Sequence, residues 1–472
     1  MPEPPLGDQS AKSTVPLRFE DVLPFDGEGE LVGQMFRGPD VSWARCFVGQ
    51  MLRGPDASWA GSVERSTRDP GRRDHYCPAM PSALRTRCRA GGTSVVAAGL
   101  VAAGLVAAGL GVTPAVYAAD GAAARLDRAL DTFVAAEGGP PAIVVAVQRN
   151  DDFTLHAAGV SDITTGAAPR ADDHVRLASV AKAFSGAAAL AVVARGKLSL
   201  TDTIGDTLPD LPQAWAPVTL AQLLGHTSGI PDFSKSPAFQ EALGSSLLVP
   251  PPPAGLLAFV ADDPLAFRPG SRYHYSNSDN IAVGLMVQVA TGDTYESVLH
   301  DSVYEPLVLT NTSLPGDQII PPPYLHGYAV EPPAAPEDVS EVFAAGWTWA
   351  SGGIVSTPAD ATRFVRGYVS GATTDAATHA AQFTFKRGGK SEPPGPGTNA
   401  AGLAIFRYRT TCGTVYGHTG NTAGYTAFVA ATDDGLRSVM VSVNSQITPN
   451  SDPKRFPALR RIFGLAVCAA LS

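Results

Sequence analysis

The chain has 472 residues, 17% of them charged, and a net charge of −9, with 23 Lys and Arg against 32 Asp and Glu in residues 120–472. An acidic balance with no basic run excludes an electrostatic nucleic-acid binder. The length fits either a few average domains or one two-lobed catalytic unit.

Residues 1–79 carry a near-repeat: Val32-Gly33-Gln34-Met35 and Arg37-Gly38-Pro39-Asp40 return as Val48-Gly49-Gln50-Met51 and Arg53-Gly54-Pro55-Asp56. Two copies are too few for a solenoid, so this part reads as a disordered or mis-assigned N-terminal extension. Met80, Arg85, Arg87 and Arg89 then precede an uncharged run from Ala90 to Ala119 ending in Val116-Tyr117-Ala118. That is the pattern of an export signal starting at Met80, and it predicts a secreted protein of the cell envelope. The same run is long enough to be a retained membrane anchor instead. Of the five cysteines, Cys46, Cys77 and Cys88 fall before the expected cleavage point, leaving Cys412 and Cys468 either to pair or to stay as two buried thiols.

Residues 120–472 read as a single folded domain. Leu126, Leu130 and Phe133 make a helical stripe over 123–136, which Gly138-Gly139-Pro140 ends. Strands are predicted at 142–148 and 153–158 around a hairpin turn, Arg149-Asn150-Asp151-Asp152, and at 415–419, 425–432 and 437–444, with a last helix over 457–471. The expected fold is α/β of the α+β type: an antiparallel sheet from both chain ends, flanked by helices, with a helical lobe from 180–410 beside it. Pro250 to Pro253 and Lys390 to Gly397 read as surface loops.

Ser179 opens a helical run with Lys182 on the same face three residues on, which brings amine and hydroxyl within reach. The alanines around Lys182 predict a desolvated amine that takes the serine proton. Tyr275 follows the turn Phe267-Arg268-Pro269-Gly270, and its phenolate is a second candidate base; Asn277 offers an amide to substrate. His418-Thr419-Gly420 is expected as an edge strand facing Ser179, with His418 in the catalytic set, Thr419 on a substrate carboxylate and Gly420 allowing close approach. The N–H groups of Ser179 and Asn421 would hold the oxyanion. Arg407, with Arg409 as competitor, is the candidate carboxylate partner, and Trp347 and Trp349 either wall the cleft or pack in the core. Gly225-His226-Thr227-Ser228-Gly229 has threonine where a nucleophile elbow needs serine, and no HExxH occurs, so no metal or cofactor is implied.

Five segments, RLASVAKAF at 176–184, LLGHTSGIPDF at 223–233, FRPGSRYHYSNSDN at 267–280, ASGGIVSTPAD at 350–360 and YGHTGNTAGY at 416–425, together resemble the serine beta-lactamase and D-alanyl-D-alanine carboxypeptidase superfamily. The likeness is to the branch with class C beta-lactamases and secreted actinobacterial DD-peptidases. It implies Ser179 as acylated nucleophile, Lys182 and Tyr275 as proton-transfer pair, and Asn277 and Thr419 as substrate contacts. Class C beta-lactamases usually have lysine where His418 stands, so the HTG form looks more like the carboxypeptidases, D-amino-acid peptidases and family esterases. The expected function is a monomeric carboxypeptidase-like hydrolase of peptidoglycan stem peptides that also binds beta-lactams. Alternatives are an esterase, a D-aminopeptidase, a beta-lactamase, or a non-catalytic penicillin-binding-like protein.

Overall fold

A computed structural model describes residues 114–472. The extension, the repeat and all but the last six residues of the export or anchor segment lie outside the described residues. Among the described residues no helix is long and apolar enough to cross a membrane.

The first helix, α1 (Pro114–Ala135), buries Leu126, Leu130 and Phe133 as the stripe predicts. β1 (Ala142–Arg149) and β2 (Asp152–Gly159) form the hairpin, and Asn150 takes the left-handed conformation (φ 52°) that its turn needs. Two small pairs stand apart: β3 (Val175–Arg176) with β6 (Val355–Ser356), and β4 (Tyr328–Ala329) with β5 (Glu337–Asp338). β7 (Lys386–Arg387), β8 (Thr398–Ala401), β9 (Phe406–Arg409), β10 (Thr414–Thr422), β11 (Tyr425–Ala431) and β12 (Arg437–Val443) complete the main sheet. Its eight strands run β2-β1-β12-β11-β10-β9-β8-β7, all antiparallel. The sheet is thus built from both chain ends, as expected, and is extended by three strands from the region read as helical.

Side-chain alternation splits the sheet between two cores. On one face Ile143, Val145 and Val147 of β1 and Phe428 of β11 meet α1 and the C-terminal helix. On the other, Val144, Ala146 and Val429 meet the helical lobe. The C-terminal helix (Phe456–Leu471) presents Leu459, Ile462, Phe463, Ala466 and Val467 to the first core. Each of the larger side chains, Leu459, Ile462, Phe463 and Val467, contributes about 1.5–3 kcal/mol when fully buried. Cys412 and Cys468 are bridged with a Cα–Cα distance of 5.2 Å, tying the β9–β10 turn to that helix.

In the lobe, α2 (Ala181–Ala194) is buried from Ala181 through Val192, a helix apolar all round and so central. Its alanines let α3 (Asn277–Thr291) pack closely beside it. Pro250 to Pro253 ends in a short helix, Pro253–Ala258, for which proline is suited at the first turn.

Candidate active site

Ser179 sits in a tight turn, Ala178–Val180, leading into α2. Ala178 has φ 49°, a left-handed conformation that costs a non-glycine residue about 1–2 kcal/mol. The 418–420 ribbon presses on this turn from the sheet: a Cβ on Gly420 would lie 2.2 Å from Leu177 O and 2.9 Å from Ser179 N. Glycine is required there by contact between two chain segments, not by an approaching substrate.

Lys182 is fully buried, and its Nζ lies 3.1 Å from Ser179 Oγ, 2.6 Å from Asn277 Oδ1 and 2.7 Å from Ser351 O. Asn277 Nδ2 donates to both Asp232 oxygens and to Ser234 Oγ, which fixes the amide so that Oδ1 faces the lysine. Burial pulls the ammonium down to about 7, against the opposite pull of Asp232, Glu392 and Asp279. A neutral amine has two N–H bonds, which Asn277 Oδ1 and Ser351 O accept; the lone pair is left for Ser179, the one partner able to donate.

Tyr275 lies with its ring centroid 5.0 Å from Lys182 Nζ. Burial pushes its phenol well above the ordinary range, and the nearby Ser179 hydroxyl opposes that shift without closing a regular hydrogen bond. This corrects the expected phenolate: in a dry pocket the lysine gives up its proton first, and Tyr275 keeps its own. Behind it, the His226 ring packs 4.6 Å from the Tyr275 ring. His226 Nδ1 lies 2.8 Å from Asp279 Oδ2, and Ser228 Oγ donates to Asp279 Oδ1 at 2.5 Å. The GHTSG segment therefore supplies a buried prop. Its serine and histidine share the aspartate instead of facing each other.

A cavity of about 130 Å³ opens beside Ser179. Tyr275, Asn277, Asn421 and, of the two tryptophans, Trp347 line it as expected, and so do Asp232, Lys235, Phe239, Phe343 and Glu392, which sequence reasoning missed. Asp232 lay in the quoted LLGHTSGIPDF segment, so its signal was present. Asn277 is engaged by Lys182 and Asp232, which makes it an orienting group for the amine. Asn421 Oδ1 accepts from Gln446 Nε2 at 2.8 Å.

β10 as a whole runs between β11 and β9, but its pairing with β9 ends at Gly417, so 418–422 keep the open edge that was expected for the ribbon beside Ser179. Four side-chain expectations are corrected. His418 and Thr419 are fully buried and do not line the cavity. His418 Nδ1 lies 2.5 Å from Thr419 O, and burial lowers the imidazole to about 3. Thr419 Oγ1 donates to Pro393 O at 2.5 Å, so it is not free to receive a carboxylate. Arg407 and Arg409 share a separate pocket on β9. Arg407 pairs with Tyr416, five residues short of Asn421, which is about 17 Å along a strand. Trp349 packs inward, its Nε1 donating to Glu296 Oε1 at 2.8 Å and its ring 4.9 Å from Tyr295. Trp347 is the tryptophan of the cavity wall. Among the described residues, His300, Asp301 and Glu305 are the group close enough to share a cation; all are exposed and none lines the cavity.

An antiparallel sheet with helices on both faces and a serine–lysine pair at its cleft defines a hydrolase with the beta-lactamase and transpeptidase fold. Residues 126–462 match the beta-lactamase family model, and the chain belongs to that family. Esterase EstB of Burkholderia gladioli is 31% identical over 206 residues, 41% of this chain and 52% of the esterase. Protein flp of Staphylococcus aureus is 27% identical over 178 residues, 37% of this chain and 34% of that protein. The chain thus matches about a third of the length of the second relative and about half of the first. Among solved structures, a D-stereospecific amidohydrolase from Streptomyces sp. superposes with a TM-score of 0.62 at 25% identity, covering 71% of this chain and 98% of that one. D-amino acid amidase from Ochrobactrum anthropi SV3, complexed with L-phenylalanine amide, shares the fold with a TM-score of 0.65 at 22% identity, covering 74% and 98%.

Proposed function

We propose that this protein hydrolyses small amides or esters through an acyl-enzyme on Ser179. The observation that carries the reading is the Lys182 amine, 3.1 Å from Ser179 Oγ with both of its neutral N–H bonds committed elsewhere. Neutral Lys182 takes the Ser179 proton as Oγ attacks the substrate carbonyl. The oxyanion forms against the N–H groups of Ser179 and Asn421, each worth about 3 kcal/mol in the transition state. The Tyr275 phenol hands its proton to the leaving nitrogen or oxygen and is reprotonated by the Lys182 ammonium, so the amine is neutral again for the attack of water on the ester. The amidohydrolase and esterase likenesses support amides and esters as the substrate class. Incubation with a fluorophosphonate and intact-mass analysis should show one adduct at Ser179, absent in Ser179→Ala; labelling that survives the substitution refutes the reading.

A second reading, the D-alanyl-D-alanine carboxypeptidase of an exported envelope protein, is favoured by Lys235, a cation on the cavity wall able to meet a terminal carboxylate. The Cys412–Cys468 bridge is compatible with an oxidising compartment. Release of D-Ala from a diacyl-Lys-D-Ala-D-Ala peptide, lost in Lys235→Ala and kept in Arg407→Ala, would select it. No D-Ala release would leave the amidase or esterase reading alone.

A further inference from the structure

The cavity wall carries one carboxylate with nothing to do. Glu392 is half-buried, and its carboxylate takes part in none of the hydrogen bonds or ion pairs among the described residues, where only its backbone oxygen accepts, from Asn421 Nδ2 at 3.4 Å. Burial raises its carboxyl above the ordinary range, and Lys235, Asp232, Lys390 and Lys182 are near enough to act on its charge. The position is held firmly. Ser391 Oγ bonds Pro393 O at 3.2 Å and Tyr408 Oη at 3.0 Å on one side, and Pro393 O receives Thr419 Oγ1 on the other.

The other carboxylate of the cavity is occupied. Asp232 accepts from Ser234 N, Ser234 Oγ and Asn277 Nδ2, and Lys235 Nζ lies 3.7 Å from it. An unpaired carboxylate on a partly buried wall is a ready partner for a cation that enters the cavity. Among the described residues no arginine lines the cavity, so an anionic ligand would meet Asp232 and Glu392 with Lys235 as its single exposed counter-charge. The same cavity is lined by Phe239, Leu243, Phe343 and Trp347, an apolar set suited to an aromatic or branched side chain.

We propose that Glu392 is a specificity-determining residue that selects acyl groups carrying a free ammonium beside an apolar side chain, such as amides of unblocked hydrophobic amino acids. This rests on the acyl-enzyme reading above and names the substrate class of that site. The ammonium pairs with Glu392, the side chain lies on the Phe343–Trp347 wall, and the carbonyl is left at Ser179.

The test compares kcat/KM for phenylalanine p-nitroanilide and its N-acetyl derivative, in both enantiomers. The wild-type enzyme should favour the free amine by at least about tenfold, and Glu392→Gln should bring the ratio close to one. Phenethylamine should inhibit the wild type competitively where 3-phenylpropionate does not, a measurement that needs no variant. A ratio unchanged in Glu392→Gln, a wild-type preference for the acetylated amide, or stronger inhibition by the anion overturns the proposal. Wild-type enzyme that fluorophosphonate labels at Ser179 but that cleaves neither amide also overturns it, whereas absence of labelling overturns the acyl-enzyme reading itself.

Discussion

Two buried titratable pockets flank Tyr275, and burial has opposite uses in them. On one side Lys182 is held near the point of losing its proton, at about 7, because carboxylates of Asp232, Glu392 and Asp279 partly offset its desolvation. On the other, burial drives His226 down to about 3 and raises the Asp279 carboxyl well above its ordinary value, so the charged form of each is disfavoured. Ser276 N–H points to His226 Nδ1 at 3.5 Å, consistent with that nitrogen as an acceptor and with Asp279 as the group that donates to it. The first pocket keeps a proton exchangeable; the second removes charge to make a rigid support. What separates them is the partner set: backbone and amide oxygens with charge nearby for the lysine, one shared carboxylic acid for the histidine.

The largest expected effect comes from breaking the first pocket. Lys182→Met should slow acylation by about 10³-fold or more, in the range for losing a general base, read as burst rate with a chromogenic ester. The same variant should be more thermostable by roughly 1–4 kcal/mol, because an amine that burial disfavours is replaced by an apolar side chain of similar length. Slower acylation without a gain in melting temperature would mean that Lys182 is not the strained member of the pair.

Breaking the second pocket should act on stability first. Asp279→Leu strands the Ser228 hydroxyl and the His226 ring without a partner, costing about 3 kcal/mol or more, whereas Asp279→Asn keeps one donor and one acceptor and should cost about 1 kcal/mol. Urea denaturation separates the two. If both variants lose equal stability, a charged Asp279 is the relevant species and the neutral-prop description is wrong.

These pockets also show what a linear reading can reach. Ser179, Lys182 and Tyr275 were legible because one pair lies on a single helical turn and the third follows a strong turn sequence. The sheet was legible from its alternating ends, since every second residue of β1 belongs to a different core. Arg407 and Trp349 were misplaced for geometric reasons. The register of β9 against β10, which no spacing reveals, sets Arg407 short of the cavity. A turn with Trp349 at φ 33° rotates that ring inward and leaves Trp347 on the wall. Asp279 and His226 are 53 positions apart, and their pairing has no local signature.

The smallest and sharpest separation of the two pockets is their pH behaviour. Lys182 has a folded value lowered from 10.5 to about 7, so its neutral, proton-accepting form grows as pH rises through 7; acylation should climb with unit slope below that point and level off above it. His226 is lowered from 6.5 to about 3, so its imidazole stays neutral from pH 8 down past pH 5, while unfolded chains protonate theirs below about 6.5. That residue's contribution is therefore present at neutral pH and is lost as pH falls below the unfolded value. NMR of the His226 ring should show no titration between pH 8 and 5 over the range in which the acylation rate changes. A rate that followed a titrating His226 would move the working base from the lysine pocket to the one behind Tyr275.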